Sequence, residues 1–126
     1  MKTKQFAILT VIIGVLMGVP IVAHHAASSY DRDHPITLKG TVTEYRFSNP
    51  HVQIHFEVQN TEGLVERWIA ESGPPQRLYR TGWTTKSLKP GDQITVTGLP
   101  MKDGRKQLSV RKLIAPNGQE LGEGAE

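Results

Sequence analysis

The sequence predicts an all-β fold, a five-stranded OB-like Greek-key barrel with one short helix between strands three and four. Three observations predict it. Glycine and proline number 12 and 8 in 126 residues, and aromatics make up 6%, which favours short strands and turns over long helices. Short runs of alternating apolar and polar residues are separated by turn clusters. The order of elements is three strands, a helix and two strands, with a long first strand, as in OB barrels. A six-stranded sandwich-like fold is the alternative.

The chain opens with Lys2 and Lys4, then fourteen uncharged residues from Phe6 to Val19, then Pro20 and Ile21-Val22-Ala23. A basic start, an apolar run and a small residue at its end are the pattern of a secretory signal peptide. Residues 1–23 are read as that peptide, with cleavage after Ala23. Phe6 to Ala23 spans eighteen residues, close to the roughly 20 that cross a bilayer, so an uncleaved anchor is the alternative. Residues 24–35 are polar and alanine-rich without periodicity, and are expected to form a flexible tail.

The barrel is expected over residues 36–118. In Ile36 to Phe47, Ile36, Leu38, Gly40 and Val42 share one face. Tyr45 and Phe47 then break the parity, and a bulge near Thr43-Glu44 or a bend between two sheets explains the break. Gly40 in mid-strand suggests a sharp curve. Ser48-Asn49-Pro50 is a turn. His51 to Gln59 alternates, with Val52, Ile54, Phe56 and Val58 facing the core. Asn60 to Gly63 makes a hairpin turn into the third strand, Leu64 to Glu71. Pro75 to Arg80 reads as a short helix that Gly82 ends and Leu78 plugs inward. Thr84 to Leu88 is a second turn. Gln93 to Gly98 and Lys106 to Ile114 are strands four and five. Residues 119–126 are acidic and expected to be a disordered C-terminal tail.

Lys and Arg number 15 against 12 Asp and Glu, a formal charge of +3. Removing residues 1–23 takes away Lys2 and Lys4 and leaves a net charge of +1. No single-sign field remains to attract nucleic acid, so none is expected as a partner. The chain has no cysteine, which excludes disulfide scaffolds, thiolate metal sites and thiol redox chemistry. No nucleophile elbow or phosphate loop surrounds Ser72, His55 or Asp92, so an enzyme is not expected. No histidine is followed four residues later by a tyrosine, which argues against a haem chaperone of the exported OB type.

Several short motifs run along the chain: His24-His25-Ala26, Tyr30-Asp31, Leu38-Lys39-Gly40-Thr41-Val42, Asn49-Pro50-His51, Gly73-Pro74-Pro75, Gly82-Trp83, Leu88-Lys89-Pro90-Gly91-Asp92 and Asp103-Gly104. As a set they resemble a family of small secreted bacterial proteins of unknown function. The resemblance covers almost the whole chain after residue 23. It implies a secreted single-domain OB-like barrel and supplies no activity, substrate or cofactor. Relatives often carry an aromatic two residues after the histidine of Asn49-Pro50-His51, whereas this chain has Gln53.

Two sites follow from the residues. The first is a transition-metal site from His24, His25 and His51. With cleavage after Ala23, His24 carries a free α-amine. Amine and imidazole nitrogens suit the tetragonal geometry of Cu(II), which tops the divalent affinity series. His51 is the attractive barrel partner because it stands at a loop–strand junction. His55 cannot share one ion with it in a straight strand, since four residues span about 13 Å. The second is the outer face of strand two, with His51, Gln53 and His55 and, as neighbours, Tyr45, Phe47, Arg67 or Trp68. The competing reading makes Tyr45, Phe47, Trp68 and Trp83 packing residues. The expectation is an exported, periplasmic or secreted, non-enzymatic binding or accessory protein. Copper is the cofactor the residues suggest. A small molecule or an envelope protein is the alternative partner, and a structural envelope role the third reading. The membrane enters only during export.

Overall fold

A computed structural model describes residues 29–122. The signal-peptide reading of residues 1–23, His24 and His25, and the last four residues lie outside the described residues. The strands are β1 (Ile36–Arg46), β2 (Gln53–Gln59), β3 (Val65–Glu71), β4 (Gln93–Pro100), β5 (Gln107–Ile114) and β6 (Glu120–Gly122). The helix α1 (Pro75–Leu78) continues into a 3₁₀ turn over Tyr79–Thr81 between β3 and β4.

Strand β1 serves two partners. Its first half, Ile36 to Thr41, pairs antiparallel with β4, and its second half, Thr41 to Arg46, with β2. β2 pairs with β3, β4 with β5, and a short parallel pairing of Ile69–Glu71 with Gln107–Ser109 closes the circuit. A closed ring in the order β1-β2-β3-β5-β4 is the OB topology. The expected fold class is therefore what the chain adopts.

The break in parity along β1 has the expected cause. Val42 stands opposite Phe56 and Glu44 opposite His55, so Thr43 is the extra residue of a bulge. The bulge turns Tyr45 and Phe47 toward the core side and leaves Glu44 and Arg46 outside. The Tyr45 ring packs on Phe47 and Phe47 edge-on against Tyr79, with centroids 5.9 and 4.9 Å apart. These rings cap the core, whose buried residues include Ile54, Phe56, Leu78, Trp83 and Leu108. Each such side chain contributes about 1.5–3 kcal/mol on leaving water. Gly82, at φ 92°, ends the helical turn in the left-handed region as expected.

The Tyr45 hydroxyl donates to the Thr84 carbonyl at 2.8 Å. Burial pushes this phenol's ionisation well above its ordinary value. The folded protein thus keeps a proton that the unfolded chain releases, so stability falls as pH rises beyond about 10. Tyr45→Phe is expected to flatten that alkaline loss while lowering neutral-pH stability by about 1 kcal/mol. Urea midpoints compared at neutral and alkaline pH measure both effects.

Two expectations about the ends are corrected. The tail assigned to residues 119–126 contains a strand, since Glu120–Gly122 pairs with Lys112–Ile114 of β5. Leu121 is only 1% exposed, and the Trp83 indole N–H donates to the Gly122 carbonyl at 2.9 Å. Three residues are too few to show a period, which hides the strand. Of the flexible tail assigned to residues 24–35, Ser29 to Asp31 is docked on the barrel, while Arg32 to Pro35 are exposed. The Asp31 amide donates to the Pro100 carbonyl and the Lys102 amide to the Ser29 carbonyl, at 2.8 and 2.9 Å. Tyr30 forms a bridge with Met101. Met101 and Leu99 are buried although they stand outside the main core cluster. The docked strip therefore lies along a second, smaller apolar patch on the outside of the barrel.

Candidate functional site

The outer face of β1, β2 and β3 is ordered by register. Gln53 stands between Arg46 and Glu71, His55 between Glu44 and Ile69, and Glu57 beside Arg67. His51 precedes β2 directly after a cis Asn49–Pro50 peptide. The Val52 amide donates to the Gly73 carbonyl and the Ser72 amide to the Val52 carbonyl, at 3.0 and 2.9 Å. These bonds carry the ladder past β2 and hold His51 at the end of β3. A cleft of about 260 Å³ opens there, lined by Arg46, Ser48, Asn49, His51, Gln53 and Glu71.

The polar contacts of the cleft converge on Glu71. Nδ1 of His51 lies 3.1 Å from Oε1 of Glu71, with His51 48% and Glu71 24% exposed. The Gln53 amide donates to the other carboxylate oxygen at 3.3 Å. A carboxylate beside Nδ1 favours the tautomer with its proton on that atom. The lone pair is then on Nε2, the arrangement seen where an outer carboxylate orients a metal-ligating histidine. Arg46 is engaged elsewhere: its guanidinium donates twice to Glu44, at 2.6 and 3.0 Å. That pairing holds the Glu44 carboxyl below the usual carboxylate range.

Of the residues expected on this face, His51 and Gln53 share the cleft. His55 lies further along β2, and its Nε2 is buried without a hydrogen-bond partner. Tyr45 and Trp68 do not join them. Tyr45 is turned inward by the bulge, and Trp68 is 8% exposed within the core cluster. The Trp68 indole N–H donates to Glu66 at 3.0 Å, and the Lys106 ammonium stands 5.2 Å from its ring centroid. The Trp68 and Lys106 contacts lower the Glu66 carboxyl below its ordinary range. Trp68 and Trp83 are thus the packing residues of the competing reading. Glu71 is the cleft residue that sequence reasoning passes over. The predicted hairpin turn is the available signal, because it fixes the register that sets Glu71 opposite Gln53.

Among the described residues no group of three or more His, Cys, Asp or Glu is placed to hold a metal ion. The barrel offers the Nε2 of His51, with Glu71 beside the other ring nitrogen, and further donors would have to come from outside those residues.

A profile described as a family of unknown function, DUF6152, matches residues 13–109. The chain belongs to this family. That membership agrees with the resemblance drawn from the motifs. No curated protein matches this DUF6152 chain. It is similar to solved structures at low identity. One is a crystal structure of TiaS in complex with a tRNA and ATP, at 20% identity over 65% of this chain and 18% of that one, TM-score 0.44. Another is yeast Stn1 and Ten1, at 12% identity over 64% and 42%, TM-score 0.42. A third is the ZRD-deleted mutant of TiaS in complex with agmatine, at 22% identity over 74% and 23%, TM-score 0.41. The DUF6152 chain spans less than half the length of each of these chains.

Proposed function

We propose that this protein is an exported, non-catalytic copper-binding accessory protein of the bacterial envelope. In this reading His51 is the ligand from the barrel, and the α-amine and imidazoles of His24 and His25 complete the site after cleavage behind Ala23. The observation that carries the reading is the approach of His51 Nδ1 to Glu71 at 3.1 Å, which sets a carboxylate where an outer partner of a metal-bound histidine stands and leaves Nε2 for a metal. Nitrogen donors of this kind favour Cu(II). The supporting charge argument is the absence of a basic field after export. On the outer face Arg46 and Arg67 are paired with Glu44 and Glu57. No Phe, Tyr or Trp is among the residues that line the cleft, so the cleft itself gives base stacking no platform.

The test uses the chain beginning at His24, titrated with Cu(II). One equivalent is expected. His51→Ala is expected to weaken binding at least about tenfold, and Glu71→Gln to weaken it by about 10–100-fold, the usual loss when an outer partner of a metal ligand is removed. Adding a methionine before His24 blocks the amine and is expected to do the same. An affinity indifferent to His51→Ala and Glu71→Gln contradicts the reading. No Cu(II) binding at all moves the weight to a metal-independent adaptor, which the polar cleft with Arg46 and Asn49 also suits.

A further inference from the structure

We infer that the fork between β1 and β2 is a docking site for an extended peptide segment of a partner protein, apolar at alternate positions and acidic opposite Lys39. The fork lies at the far end of β2 from the His51 cleft, so the inference is independent of the copper reading. β1 is paired with β4 along its first half, but β2 joins it only from Thr41 onward. The strands part at Gly40, where a Cβ would meet the Glu57 carbonyl. Beyond that point lies a cavity of about 430 Å³, bounded by Lys39 and Gly40 of β1, Val58 and Gln59 of β2, and Gln93 of β4. Its volume is within the range of ligand sites, about 300–1,000 Å³.

The backbone decides what fits there. The Val42 amide donates to the Asp92 carbonyl and the Gly91 amide to the Val42 carbonyl, each at 2.8 Å, so the peptide groups of Val42 face β4. By the alternation of a strand those of Gly40, Leu38 and Ile36 also face β4, and those of Thr37 and Lys39 face away. Among the described residues no strand pairs with that side of Thr37 and Lys39. Their N–H and C=O groups, about 6.8 Å from one residue to the other, are an open edge that an extended chain satisfies group for group. The side chains specify the chain further. Ile36 and Leu38 face inward and are only partly buried against the core, so apolar side chains of an added strand extend that core. Lys39 faces out, is exposed and enters no ion pair among the described residues. Glu57, the other charge at the fork, is engaged by Arg67 at 3.4 Å. An acidic side chain opposite Lys39 makes a cross-strand pair of opposite charge, with an apolar residue on either side of it in the peptide.

The probe is a capped octapeptide in which valine alternates with threonine and one central threonine is replaced by glutamate. It is titrated into the chain that begins at His24, with the backbone amides followed by nuclear magnetic resonance. The Thr37 and Lys39 amides are expected to shift, and to exchange with solvent at least about tenfold more slowly once the peptide is bound. Lys39→Glu is expected to weaken binding several-fold and to reverse the preference in favour of the same peptide with lysine in place of glutamate. Lys39→Pro removes the outward N–H and leaves the ladder to β4 whole; it is expected to abolish binding, and thermal melting checks that it stays folded. Copper binding is expected to be unchanged by Lys39→Glu, which keeps a failure here distinct from a failure of the copper reading. No binding at millimolar peptide, or binding that leaves those two amides unprotected, overturns the inference. Protection of the same amides without peptide, in a dimer, also overturns it and makes the fork a pairing edge between two copies.

Discussion

Gly98→Ala is expected to destabilise the barrel by about 3 kcal/mol, the upper part of the range for forcing extra atoms into a packed interior. The register of β4 against β5 shifts between Thr97 and Gly98. A Cβ on Gly98 would run into the Ser109 carbonyl and approach Leu108 Cδ1 to 2.7 Å. The carbonyl belongs to a ladder strand and cannot swing aside as a flexible side chain would. Gly40 repeats the situation on β1, where a Cβ would meet the Glu57 carbonyl and come within 2.8 Å of the Phe56 ring. Both glycines let neighbouring strands approach closely at the bends of a small barrel. For a domain of this size the loss corresponds to a fall in melting temperature of about 12–24 °C. Gly122→Ala, where nothing lies within 4 Å of the new atom, is the control and should change little. A melting temperature for Gly98→Ala within a few degrees of the parent would contradict the packing described.

Ending the chain after Gly118 is expected to cost about 3–8 kcal/mol, a large part of the about 5–15 kcal/mol that holds an ordinary domain folded. Leu121, 1% exposed, leaves a cavity worth about 2–5 kcal/mol by analogy with Leu→Ala. The Trp83 indole N–H loses the Gly122 carbonyl. The Trp83 side chain is fully buried, and an orphaned buried donor costs about 1–3 kcal/mol. The Ala115 amide also loses its acceptor, the Gln119 carbonyl. Circular dichroism and urea titration of the shortened chain, with Leu121→Ala as the intermediate case, check the expectation. Undiminished stability after truncation would mean that β6 does not close the core.

What the sequence discloses follows from where its signals are local. Strand β2 shows itself because Val52, Ile54, Phe56 and Val58 alternate with polar residues, and all four are buried. The bulge at Thr43 is visible as a change of parity along β1. The helix is visible because Pro74 precedes it, Pro75 opens it and Gly82 follows. The missing pieces depend on contacts between distant segments. β6 is three residues long, and the strip at Ser29 is a single bridge, so neither carries a period. Tyr45 is assignable to either face until the position of the extra residue is fixed. His51 is visible as a histidine at a loop–strand junction, but its partner Glu71 comes from the next strand, twenty residues on. Only the pairing of β2 with β3 brings them together.

The central claim is that the His51 imidazole, set by Glu71, binds copper together with the amino-terminal histidines. Pulsed electron paramagnetic resonance counts the remote nitrogens of imidazoles bound to Cu(II). Applied to the chain beginning at His24 and to its His51→Ala variant, it is predicted to find one bound imidazole fewer in the variant. Identical imidazole counts in the two proteins would contradict the account.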